Sequence, residues 1–175
     1  MVLFKCLKGE KIIKKFKVIL AVLTVFLLAA CNATTSKTKD KIVHFSSKEK
    51  AFQHYIKNEN VAGSIDLITT LQGDKLLVTQ ESTNIYFVGE LKKDDNGFYA
   101  EKITPGAQLT TETGLELNTM NGNKYTINLK KTSDEPNYVS VSNGEYFVSI
   151  LEGHTLNEDT LNTKNAIKYV ENVKK

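Results

Sequence analysis

Four times between Ser64 and Glu152 a short run of β-branched and aromatic residues meets a polar turn and is followed by a second such run. SIDLITTL leads through QGD into KLLVTQES, NIYFVGEL through KKDDNG into FYAEKIT, LELNTM through NGN into KYTINLK, and YVSVS through NG into EYFVSILE. Connections this short join only antiparallel neighbours, because a parallel return needs a crossover of about a dozen residues or more. Asn96-Gly97, Asn121-Gly122 and Asn143-Gly144 are dipeptides that tolerate the positive φ of tight hairpins. The chain is therefore expected to be mainly β, bordering on α+β. The pattern predicts an antiparallel meander, closed into a barrel or strongly curved, with one amphipathic helix on its N-terminal side.

That helix is expected in 46–60, SSKEKAFQHYIKNEN, with Ser46 as N-cap and Glu49 at capping-box distance. Ala51, Phe52, Tyr55 and Ile56 form one apolar stripe at the helical period, and Gly63 marks the break after it. At the other end, KNAIKYVENVKK fits either period and is read as a strand, after a polar loop from Glu152 to Lys164. Three adjacent aromatic pairs, Tyr86-Phe87, Phe98-Tyr99 and Tyr146-Phe147, each place a ring on both faces of a strand, since successive side chains alternate. Both faces of the sheet must then be covered, by curling, by the helix or by a ligand or partner. Tyrosines left facing outward would be the natural contact residues, and Tyr86, Tyr99 and Tyr146 are the candidates.

Upstream the composition changes. Residues 1–17 carry six lysines against the single Glu10, and a thirteen-residue apolar run, Val18 to Ala30, follows and stops at Cys31. A spanning helix needs about 20 apolar residues, so this run suits a transient export signal and not a permanent anchor. Its end, Leu28-Ala29-Ala30-Cys31, resembles a bacterial lipobox. The resemblance covers residues 1–31 and implies cleavage between Ala30 and Cys31. It also implies lipidation of Cys31 through a diacylglyceryl thioether and fatty acyl chains such as palmitate. The expected organisation is a signal peptide (1–30), the lipidated cysteine with a flexible tether (31–41), and one β-rich domain (42–175). The tether NATTSKTKDK spans about 18 Å as a coil and would hold the domain at the extracytoplasmic face of the cell membrane. Lys37, Lys39 and Lys41 within it can touch anionic headgroups.

Removing 30 of 175 residues leaves 145, and the formal charge falls from +3 to −2 because the signal carries a net +5. No nucleic-acid partner is expected for such a domain, which lacks an excess of basic residues. Cys6 leaves with the signal, so stability has to come from packing without a disulfide. There is no arginine for bidentate recognition of carboxylate or phosphate.

No catalytic signature stands out. G-x-S-x-G is absent, and Ser36-x-x-Lys39 and Ser47-x-x-Lys50 lack the companion motifs of penicillin-binding enzymes. His44, His54 and His154 show no metal-ligand spacing, and Asp94-Asp95-Asn96-Gly97 suits a hairpin turn better than a calcium loop. No metal or other cofactor is expected. The sequence favours a non-enzymatic binding module of the envelope, with an envelope protein, a wall polymer or a small ligand as partner. The alternative is a cell-envelope hydrolase whose site, of convergent carboxylates or a histidine, is assembled only in three dimensions.

Overall fold

The computed structural model describes residues 42–156 and 164–173. Cys31, the lipobox and the tether, on which the expected anchoring rests, lie outside the described residues. Helix α1 (Lys48–Asn58) is followed by strands β1 (Ile65–Thr70), β2 (Lys75–Ser82), β3 (Ile85–Asp94), β4 (Gly97–Lys102), β5 (Ala107–Gln108), β6 (Glu112–Asn118), β7 (Lys124–Lys130), β8 (Val139–Val141), β9 (Tyr146–Glu152) and β10 (Ile167–Val173). Every pairing between these strands is antiparallel.

The expected meander accounts for β1 to β4, which lie side by side in sequence order. The C-terminal segment is a strand, as its alternation suggested, and β10 returns to pair with β1, giving the order β10-β1-β2-β3-β4. β5 adds to β3 off this path, making six strands. A second sheet has the order β6-β7-β9-β8. Among the described residues the strands thus form two sheets and no closed barrel.

Alternation along the strands feeds two cores. Ile68, Leu76, Val78, Tyr86 and Val88 of the first sheet meet Leu115, Tyr125, Ile127, Val148 and Ile150 of the second. The opposite face of the first sheet, through Ile65, Leu67, Leu77, Phe87 and Leu91, receives Ala51, Phe52 and Tyr55 of α1. The Tyr86-Phe87 pair therefore sends one ring into each core, as alternation requires. Each large side chain so buried contributes roughly 1.5–3 kcal/mol.

Local details depart from the sequence reading. Ser47, not Ser46, caps α1, its hydroxyl accepting from Lys50 N at 3.4 Å. Phe45 is held in a two-bond bridge to Phe98, 2.7 Å in each direction, so the chain leaves extended geometry one residue later than expected. Ser47-x-x-Lys50 is thereby an ordinary helix start. β3 continues through Lys92 and Lys93, which pair with Tyr99 and Phe98, so the turn shrinks to Asp95-Asn96. Asp94 Oδ1 accepts Asn96 N at 2.8 Å, which is turn chemistry. At the Asn-Gly turns the left-handed conformation falls on the glycines, with φ of +127° at Gly97, +86° at Gly122 and +93° at Gly144.

Tyr55 fixes the height of α1 over the sheet. Its hydroxyl lies 2.9 Å from Thr79 Oγ1, and it sits directly over Gly89, where a Cβ would collide with it. Overpacking a filled core costs about 1–3 kcal/mol, so Gly89→Ala is expected to destabilise by roughly that amount. Adding Tyr55→Phe, which removes the colliding oxygen, should recover part of the loss. Urea denaturation of the single and double variants measures both; a double variant that simply sums the two single losses would contradict this packing.

Candidate functional site

The β1–β2 and β6–β7 turns belong to different sheets but lie together. In the first, Gly73 takes φ +89° and Thr70 Oγ1 accepts Asp74 N at 3.1 Å. In the second, Thr119 Oγ1 accepts Asn123 N at 3.1 Å around Gly122. These local bonds set the direction of the side chains that join the turns. Asp74 Oδ1 accepts Asn121 Nδ2 at 2.7 Å, and its Oδ2 accepts Asn123 Nδ2 at 2.7 Å and the Tyr125 hydroxyl at 2.9 Å. The Tyr125 hydroxyl also lies 3.1 Å from Gln72 Oε1 and from Thr70 Oγ1. Burial pushes its pKa up to about 12, with Asp74 adding and Thr70 opposing. Asp74 is 2% exposed, and with three donors its carboxyl is a satisfied buried group.

Glu90, next to it on β3, differs. It is 1% exposed, and Met120 N donates to its Oε2 at 2.8 Å. Burial pushes its carboxyl above the usual range, against the Met120 N–H and Lys92; the charges of Asp74 and Glu101 push the same way as burial. Desolvation disfavours the charged form, so Glu90 keeps its proton to higher pH than an exposed glutamate. Lys92 Nζ donates to Asn121 Oδ1 at 2.6 Å, which occupies the oxygen of the amide that serves Asp74.

Asp74, Glu90 and Asn121 line a cleft of about 250 Å³. Lys75, Lys92 and Lys93 also line it, and Phe98 lies on its wall beneath the Lys93 ammonium, 5.2 Å from the ring centroid. The arrangement can accept and donate hydrogen bonds, hold a proton on Glu90 and present positive charge. Among the described residues neither a histidine nor a serine or cysteine lines it.

The tyrosines singled out from sequence are placed elsewhere. Tyr86 and Tyr146 are fully buried between the sheets, with ring centroids 5.0 Å apart, and Tyr99 is 8% exposed with its ring edge-on to His44 at 4.9 Å. The outward placement expected for them is corrected. The second sheet covers the face that Tyr86 looks out from, and the first sheet covers Tyr146. The histidines do not converge either. His44 is 2.9 Å from Asp94, His54 packs on Phe45, and His154 lies 3.1 Å from Leu117 O. Among the described residues no three of His, Cys, Asp and Glu are grouped as metal ligands.

The sequence reading passed over Asp74, Glu90 and Asn121. A usable signal was there for Glu90: an acid inside the run YFVGEL, two residues after the inward-facing Val88. Asp74 and Asn121 look like ordinary turn residues.

The Glu90 carboxyl gives a pH prediction. An unperturbed glutamate titrates near 4.5, and the folded value lies above it. The stability that Glu90 contributes is fully present below 4.5 and is lost as pH rises through the folded value, because the folded state binds the extra proton. Glu90→Gln keeps an oxygen for Met120 N–H and removes the titration. In denaturation across a pH series, the variant should gain on the wild type as pH climbs from 4.5; a difference independent of pH would contradict the assignment. Comparison of the chain with known protein families, with curated proteins and with solved structures finds no match in any of the three.

Proposed function

We propose that the protein is a lipoprotein anchored at the extracytoplasmic face of the cell membrane through Cys31, and that its β domain is a binding module whose ligand enters the Asp74–Glu90 cleft. The lipobox-like Leu28-Ala29-Ala30-Cys31 supports the anchor. The binding reading is carried by one observation: both oxygens of Asp74 are already taken by protein donors. Hydrolysis by paired carboxylates needs one group to hold a proton and the other to attack or to activate water. Glu90 can hold a proton, but Asp74 has been committed to the fold. With neither a histidine nor a serine or cysteine in the lining, binding is the chemistry left to the cleft.

Two measurements test the two halves. Growth with labelled palmitate should mark the wild-type protein, and Cys31→Ser should abolish the label and leave uncleaved precursor. Label that persists in the variant would remove the anchor assignment. Purified protein should be retained by isolated envelope material without releasing soluble fragments from it. Fragment release that disappears in Glu90→Gln would establish a hydrolase and overturn the binding reading.

A further inference from the structure

The hydrogen-bonding capacity left open in the cleft differs from what its residue types suggest. Two carboxylates line it, yet both oxygens of Asp74 already accept protein donors, and Asn121 is engaged on both sides, its nitrogen by Asp74 and its oxygen by Lys92. What remains are ammonium groups. Lys48, Lys102 and Lys130 each meet a carboxylate elsewhere in the domain. Among the described residues Lys75, Lys92 and Lys93 have no ion-pair partner, as is also true of Lys50, Lys57, Lys124, Lys131, Lys164 and Lys168; what sets these three apart is that all of them line this cleft. The mature chain is net negative, so an unpaired positive cluster around a cavity runs against its overall charge.

Resting on the binding reading above, we infer that the cleft takes a phosphate group carried on a small hydroxylated unit. Lys92 and Lys93, adjacent on β3, flank the cleft from opposite faces of the strand, and with Lys75 they offer separate point charges to different oxygens of a phosphate, a group that lysine binds as a point charge. The volume of about 250 Å³ lies below the roughly 300–1,000 Å³ of ordinary ligand pockets, which fits one phosphate with a polyol unit. Glu90 lies beside the charge and can donate to a ligand oxygen while it holds its proton. It is faced by Met120 N–H, Lys92, Asp74 and Glu101, so ionising it adds a further negative charge where the ligand sits.

The probe is glycerophosphoglycerol, a phosphodiester whose single charge does not titrate near neutral pH, added to the acylated protein in neutral detergent micelles. Calorimetry should show saturable binding of this diester and none of glycerol. Lys75 makes no hydrogen bond that its replacement would break, so Lys75→Gln should leave the fold intact and weaken binding roughly tenfold, about 1.4 kcal/mol for one lost charge contact. Lys92→Gln should act in the same direction. Affinity of the wild type should fall as pH rises, and Glu90→Gln should flatten that dependence. Doping the micelles with phosphatidylglycerol separates two sources of the same chemistry. Loss of diester binding then identifies a lipid headgroup, and unchanged binding identifies a water-side phosphodiester polymer; both support the phosphate assignment. Absence of saturable diester binding, or diester binding that Lys75→Gln and Lys92→Gln leave unchanged, would overturn it. Retention by envelope material that survives both lysine substitutions would overturn the phosphate class while leaving the binding reading in place.

Discussion

Asp66 in β1 and Asp74 in the turn after it reach across to the second sheet, and an ionised carboxylate only accepts hydrogen bonds, so donors have to be built around each one. Asp66, 1% exposed, receives the Ser142 hydroxyl and the Ser142 N–H, the Tyr146 hydroxyl at 2.7 Å and Asn172 Nδ2 at 3.2 Å. Ser142 opens the turn between β8 and β9 with φ +46°, a conformation unusual for a residue with a side chain. Asp74 receives Asn121, Asn123 and Tyr125 from the β6–β7 hairpin. The apolar layer between the sheets is non-directional and would tolerate sliding. These two networks have direction, and they fix how one sheet sits on the other.

The same constraint generates the cleft. Because Asp74 draws Asn121 and Asn123 toward the first sheet, the β6–β7 turn comes down beside β3, where Met120 N–H finds Glu90. Glu90 is thereby enclosed without a cationic partner in direct contact, which raises its proton affinity, and Lys92 is turned toward the amide of Asn121. Structural satisfaction of one acid thus leaves the neighbouring acid and the surrounding lysines as the groups with chemistry still to offer.

How much of this was legible in the sequence follows from which interactions are local. The hairpins, the apolar stripe of α1 and the final strand were readable because alternation and turn residues act over a few positions. Tyr86, Tyr99 and Tyr146 were misplaced because alternation says that neighbouring rings face opposite ways, not what lies over each face. Ser46 has the capping-box spacing to Glu49, yet Ser47 is the cap, because the long-range bridge between Phe45 and Phe98 holds the chain extended just before it. The buried acids were hidden among the chain's 20 acidic residues. Asp66 carried a signal in SIDLIT, where it shares a strand face with Ile68, but its donors come from residues 142, 146 and 172. Asp74 draws its donors from 121, 123 and 125, and no local pattern links a turn to partners that far along the chain.

The directional role of the two aspartates is tested most directly by urea denaturation of Asp66→Ala, Asp74→Ala and the double variant. Each single change strands several donors and should cost roughly 2–4 kcal/mol. The two losses should add, because the networks share no residue. Losses below about 1 kcal/mol for both single variants, the size of an ordinary surface change, would mean that the apolar layer alone sets the arrangement of the sheets.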